Sequence, residues 1–221
     1  MCEKETQTEL YINQRENQLD ISNCPSIAER ENQLTGKIYN ILILNKINHK
    51  LIILKELSLK HAHIYCFINR LSGQKSGPLI EHYIIEKNFM KRNKSYLLIG
   101  DANYNNTNYE IKISIGGADH DKFNYVQLRM NHECDYILTA YFINEDNLIN
   151  NGELFIFLLT KSDIKNIILK HGSYAHGTNN QLGKITEENL TDVSNNKEYA
   201  IRPKYGDKCW LDLLDFRINE I

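Results

Sequence analysis

Apolar and polar positions alternate most cleanly over Tyr109–Ile115. Tyr109, Ile111, Ile113 and Ile115 share one face, while Glu110, Lys112 and Ser114 share the other. That two-residue period is the mark of a strand with one face in a core. Gly116-Gly117 ends it. Upstream, Tyr96–Ile99 predicts a short buried strand running into Gly100-Asp101, and Asn103–Asn108 has the Asn- and Thr-rich composition of a turn. Tyr136–Ile143 and Leu154–Leu159 are apolar runs of strand length.

Other stretches follow a helical period. Leu79, Ile80, Tyr83 and Ile84 fall on one helical face with Glu81 beside it. A turn at Gly73–Gly77 precedes them, with Pro78 at the first helical position, and Lys91–Lys94 breaks the helix with charge. With Asp119 and Asp121 as candidate N-caps, Phe123, Val126 and Met130 predict a short helix to about His132. Ser162 or Asp163 caps a helix through Lys170 that Gly172 closes. Residues 172–198 read as a long polar loop region. Gly206–Phe216 reads as a final amphipathic helix, with Trp210, Leu211, Leu214 and Phe216 packing the core. Ile38–Leu59 fits a helix or a hairpin. The succession of elements predicts an α/β fold, a mixed central sheet with helices on its faces. Residues 1–35 are polar and carry Arg-Glu-Asn-Gln-Leu twice, at 15–19 and 30–34. They read as an N-terminal helical extension to a domain over 36–221.

Composition narrows the classes. Hydrophobic residues at 42% of the 221 supply a core, and 24% charged residues with 3 prolines argue against disorder. The longest apolar runs fall short of the ~20 residues a bilayer span needs, and the first residues lack a signal-peptide apolar region. A soluble, cytoplasmic protein with no membrane partner is expected. The five cysteines are scattered without a Cys-x-x-Cys pair, which argues against a zinc ribbon or disulfide framework. The net charge of −2 argues against a non-specific coater of DNA, which should be strongly basic, whereas a sequence-specific enzyme needs only a local basic cleft.

Asp101, Glu110 and Lys112 carry the candidate chemistry. If the strands around them form a hairpin, two carboxylates and an ammonium converge over the polar face. Two carboxylates offer hard oxygen ligands to Mg²⁺. A neighbouring lysine positions or helps deprotonate an attacking water and offsets charge on a pentavalent phosphorus. On its own, Glu-x-Lys is also a common salt bridge on a solvated strand.

The pattern Gly100-Asp101-x8-Glu110-Ile111-Lys112 resembles the PD-(D/E)XK nuclease signature. Ser76-Gly77-Pro78-Leu79-Ile80-Glu81 is similar to the helix that precedes it in type II restriction endonucleases. Glu110–Gly117, Lys122–Arg129 and Asp135-Tyr-Ile-Leu also look like restriction-enzyme sequence, so the resemblance covers about residues 73–145. Gly100 stands where the signature names proline. The resemblance implies a restriction-endonuclease-like fold, Mg²⁺, double-stranded DNA, a homodimer and a cognate DNA methyltransferase in the same system. Asp101 and Glu110 would then be metal ligands and Lys112 the water-positioning group. Glu81, in preference to Glu86, would be an accessory acid, and Gln127 and Arg129 would lie near the scissile phosphate. Two other expectations compete with a restriction enzyme: a structure-selective or nicking nuclease, and a DNA-binding module without catalysis on the same fold.

The Gly-bracketed loop from Gly172 to Gln181 offers Ser173, Tyr174, His176, Thr178, Asn179 and Asn180, side chains able to read base edges. Lys161, Arg202 and Lys204 are candidate phosphate contacts. His61-Ala62-His63 has the look of a metal-hydrolase His-x-His without further ligands at a matching spacing. His132-Glu133-Cys134-Asp135 reads as a connector.

Overall fold

The structure of the protein is a computed structural model that describes residues 29, 32–36, 57–117, 122–143 and 152–221. The first Arg-Glu-Asn-Gln-Leu segment, Arg30 and Glu31 of the second, most of Ile38–Leu59, and the candidate caps Asp119 and Asp121 lie outside the described residues, whereas residues 32–36 are helical.

Two helices lead in, α1 (Leu59–Ile68) and α2 (Gly73–Lys87). They are followed by β1 (Lys91–Arg92), β2 (Ala102–Tyr104), β3 (Thr107–Gly117), β4 (Tyr125–Arg129), β5 (Asp135–Ile143) and β6 (Glu153–Leu159). The C-terminal part holds α3 (Lys161–His171), β7 (Ser173–Tyr174), α4 (Asn179–Leu182), α5 (Glu187–Thr191), β8 (Glu198–Ile201), α6 (Lys208–Leu214) and β9 (Arg217–Ile218). A mixed six-stranded sheet runs β1-β2-β3-β5-β6-β9, with β3 and β5 parallel and the other neighbours antiparallel. A second sheet, β4-β8-β7, is antiparallel.

Each face of the large sheet has its own core. Ile111 and Ile137 pack with Ile80, Ile84 and Tyr65 from α1 and α2, joined by Tyr109, Ile113 and Ile115. The expected apolar face of β3 is therefore the helix-facing one. On the other side Tyr136, Leu138, Phe155 and Phe157 meet Ile164 and Ile168 of α3, Trp210 of α6 and Tyr125 and Tyr199 of the small sheet. Strand β5 is buried on both faces, which is why its sequence is an unbroken apolar run. Among the described residues no helix is long and apolar enough to cross a membrane.

Five local expectations are corrected. Tyr96–Ile99 is not a buried strand: Tyr96 is 72% and Leu98 56% exposed, in a turn where Leu97 N–H donates to Lys94 O. The 123–132 helix is instead β4. Its buried residues Phe123, Tyr125, Leu128 and Met130 alternate as a strand would, except for a bulge between Tyr125 and Leu128. Gln127 at the bulge has φ 58°, and the extra residue turns a period of two into an apparent helical spacing. Helix α2 begins at Gly73, so Gly73–Gly77 is its first turn and Pro78 lies inside, forgoing one backbone bond. Residues 172–198 contain β7, α4 and α5 rather than plain loop. The expected helix ending at Gly172 is present, but its cap is Thr160, which forms a reciprocal capping box with Asp163.

His61 and His63 lie on α1, not on a strand, so they do not share a face. His63 is fully buried: Nδ1 donates to Leu59 O at 2.8 Å, which leaves Nε2 to accept from the Thr139 hydroxyl at 3.0 Å. Burial pushes its pKa down to about 4, and the bond to Leu59 only partly opposes this. His63 is thus a neutral strut between α1 and β5. Replacing Thr139 by valine strands that nitrogen, and urea denaturation should register a loss of about 1–3 kcal/mol.

Candidate active site

Asp101 is held in place by the end of the β2–β3 hairpin. Its N–H donates to Tyr109 O at 2.7 Å, and its Oδ2 accepts from Ile111 N–H at 2.8 Å. The carboxylate thus continues the ladder one step beyond the Ala102–Tyr109 pair. Asn93 secures the approach: its N–H donates to Asp101 O at 2.9 Å and its side-chain amide reaches Asn108 Oδ1 at 3.3 Å. Gly100 has φ +78°, and an added Cβ would stand 2.6 Å from Tyr109 O. Proline, which fixes φ near −65°, cannot adopt that conformation. The departure from the signature at this position therefore has a backbone cause.

Glu110 projects from β3 on the face opposite Ile111, paired in register with Tyr136 of β5. It is buried, and its Oε1 accepts the Lys112 ammonium at 2.6 Å. Burial alone would raise the Glu110 carboxyl, but His132 close by and the Lys112 ammonium outweigh it and hold the group below the usual carboxylate range. Asp101 goes the other way. Burial, then the charges of Glu110 and Glu81, push it up to about 6, against smaller relief from the Ile111 N–H and Lys112. Two nearby carboxyls driven in opposite directions by one cluster are a marker of a functional site. Glu81, on α2, is bound by Arg92 Nη1 at 2.5 Å, whereas Glu86 is exposed and faces His82.

The Asp101 shift has a stability consequence with a definite sign. Between about pH 4 and 6 the folded chain holds a proton on Asp101 that the unfolded chain has released, so this group costs stability as pH rises through 6. Asp101→Asn keeps an acceptor for Ile111 N–H without the charge. The metal-free variant should unfold about 1–3 kcal/mol less readily than wild type at pH 8, a gap that closes towards pH 4. Denaturant titrations at the two pH values check it.

The loop from β4 into β5 closes the site. Glu133 N–H donates to Leu98 O, Lys161 Nζ meets Glu133 Oε1 at 2.5 Å, and Lys161 N–H donates to Asp135 Oδ1. His132 and Cys134 are both buried here, and their ligand atoms and a Glu110 oxygen all lie within 4.8 Å of one another. From sequence, His132–Asp135 is expected to be a connector. It does connect β4 to β5, and the parallel β3–β5 register, Tyr109 opposite Asp135, also carries it to Glu110. No sequence spacing announces that meeting.

Several of the residues expected to meet DNA gather around the small sheet. Arg129 donates to Glu198 Oε1 from Nε at 2.8 Å and Nη2 at 2.5 Å, and His176 Nε2 lies 3.5 Å from Glu198 Oε2. Arg202 Nη1 donates to Ser173 Oγ, and Gln127 is exposed at the bulge. Thr178 forms a capping box with Gln181 at the start of α4, where Asn179 and Asn180 are exposed. Tyr174 differs from expectation. Its ring is buried against Tyr199, 5.5 Å between centroids, and its hydroxyl donates to Leu182 O, so it packs the sheet and has no edge free to read a base. Lys161 belongs with Glu133 beside the carboxylate cluster, and Lys204 N–H donates to Asp207 Oδ2 in the turn before α6. An open concavity is lined by Asn189, Asp192 and Ser194–Lys197, away from the carboxylate cluster. No protein-family model, curated protein or solved structure matches the chain.

Proposed function

We propose that the protein is a Mg²⁺-dependent endonuclease that hydrolyses double-stranded DNA at specific sequences, in the manner of a type II restriction enzyme. The observation that carries this reading is the convergence of Asp101, Glu110 and Lys112 at one end of a mixed sheet, with Lys112 2.6 Å from Glu110.

The donor set fits a hard cation. The buried Glu110 and half-buried Asp101 carboxyls crowd together until Asp101 is held up to about 6 by burial and by Glu110 and Glu81, and a divalent ion on Asp101 and Glu110 would relieve that repulsion. When bound, Mg²⁺ neutralises charge on the phosphate and acidifies a water. Lys112 keeps Glu110 ionised and presents N–H donors where negative charge grows on phosphorus. Glu81, steered by Arg92, adds a second acid on the Asp101 side. Arg129, His176 and Arg202 on the small sheet supply donors for backbone and base edges. Because Asp101 must be ionised to bind the ion, Mg²⁺ affinity falls as pH drops through about 6.

The test is incubation with a long mixed-sequence duplex and Mg²⁺, resolved on a gel. Discrete bands that vanish with Glu110→Ala are expected. A smear points to a structure-selective or sequence-independent nuclease. Intact DNA under all conditions sinks the enzyme reading in favour of a binding module.

A further inference from the structure

Two side chains beside the carboxylates touch neither Mg²⁺ nor phosphate in the nuclease reading. His132 is only 7% exposed, and its Nδ1 is buried without a hydrogen-bond partner. That nitrogen sits 3.6 Å from Glu110 Oε2, too far for a hydrogen bond. With Zn–N and Zn–O bonds of about 2.0–2.2 Å, two donors on a tetrahedral ion stand roughly 3.3–3.6 Å apart. The observed separation matches that edge. The Cys134 sulfur completes a triangle with no side above 4.8 Å, and all three residues are buried.

The chemistry of the donors selects the ion. Mg²⁺ takes oxygen ligands in a strict octahedron and has little use for sulfur or imidazole. One thiolate, one imidazole and one carboxylate suit a borderline-soft ion. We propose that Glu110, His132 and Cys134 form a site for a thiophilic divalent cation of the zinc class, whose occupation withdraws Glu110 from Mg²⁺ and inhibits the nuclease. The first half stands independently, and only the inhibition rests on the nuclease reading. Coordination replaces the proton on Cys134 Sγ, which passes to solvent. A fourth position is left to water.

The experiment uses the full chain stripped with a chelator and titrated with Co²⁺, then Zn²⁺. Expected is a thiolate-to-cobalt charge-transfer band that saturates at one equivalent and is bleached by Zn²⁺. Cys134→Ala, a small change in volume, should abolish the band. His132→Gln should weaken Co²⁺ binding about tenfold or more, and it keeps the test readable if the alanine variant does not fold. A band that persists in Cys134→Ala, Co²⁺ binding without a band in wild type, or unchanged affinity in His132→Gln overturns the site. In parallel, Zn²⁺ is added to Mg²⁺-dependent cleavage reactions, where the half-inhibiting concentration should rise about tenfold or more in Cys134→Ala. Cleavage indifferent to Zn²⁺ overturns the inhibitory half. A correct band in a protein that never cleaves DNA refutes the nuclease reading and leaves the metal site standing.

Discussion

With Lys112 replaced by methionine, Mg²⁺-dependent cleavage is expected to fall about 10²–10³-fold, the cost of removing one preorganised donor from a site of developing charge. The effect should lie in kcat rather than KM, since the ammonium faces Glu110 and, on the proposed function, would face the reacting phosphate rather than outlying DNA contacts. Methionine keeps most of the stem volume. A second effect follows from burial. Lys112 is one of two groups that hold Glu110 ionised, the other being His132, and its loss leaves a buried carboxylate short of its partner. The variant should therefore bind Mg²⁺ more weakly and show its remaining activity shifted to higher pH. Single-turnover cleavage across pH 6–9 separates these outcomes, and full activity with an unaltered pH profile would remove Lys112 from the chemistry.

The largest expected loss of stability comes from Trp210→Ala. Trp210 is 2% exposed and stacks on Phe123 at 4.7 Å, with Phe155 and Phe157 edge-on at 4.8 and 5.5 Å and Tyr205 at 5.3 Å. These rings come from β6, from the segment entering β4 and from the turn before α6. No single neighbour can move in to fill the space, so a cost of about 3–5 kcal/mol is expected, a large share of the roughly 5–15 kcal/mol a domain possesses. Because this is the chain's single tryptophan, circular dichroism must follow unfolding of the variant. In the wild type, tryptophan fluorescence reports the same cluster directly. A cost under about 1 kcal/mol would mean that the cluster repacks.

What the sequence made legible follows from how local each signal is. Strand β3 was readable because one face is apolar and the other is not, and the same alternation placed Glu110 and Lys112 side by side. Strands β5 and β6 and helices α3 and α6 follow from uninterrupted runs or a clear helical face. Strand β4 was not readable, since the bulge at Gln127 erases the period that identifies a strand. Tyr96–Ile99 misled because apolar character does not by itself secure burial, and nothing local reveals that this segment arcs over the surface. His132 and Cys134 carry no local signal for a further reason. Their proximity to Glu110 depends on a parallel register between strands separated by β4, and no periodicity encodes such a register.

The pairing of β4 also bears on how the molecule is born. Arg129 and Glu198, which close that pair, are 69 residues apart, and β4 finds no partner until β8 has been made. At about 5–20 residues per second on the ribosome, the wait is roughly 3–14 s. Throughout it Phe123, Tyr125 and Leu128 lie on a segment without its backbone partner strand, and the loop bearing His132 and Cys134 lacks its anchor on one side. The loop beside Glu110 therefore settles only once β8 has joined β4, and the interval is one in which chaperones would find an unpaired aromatic strand.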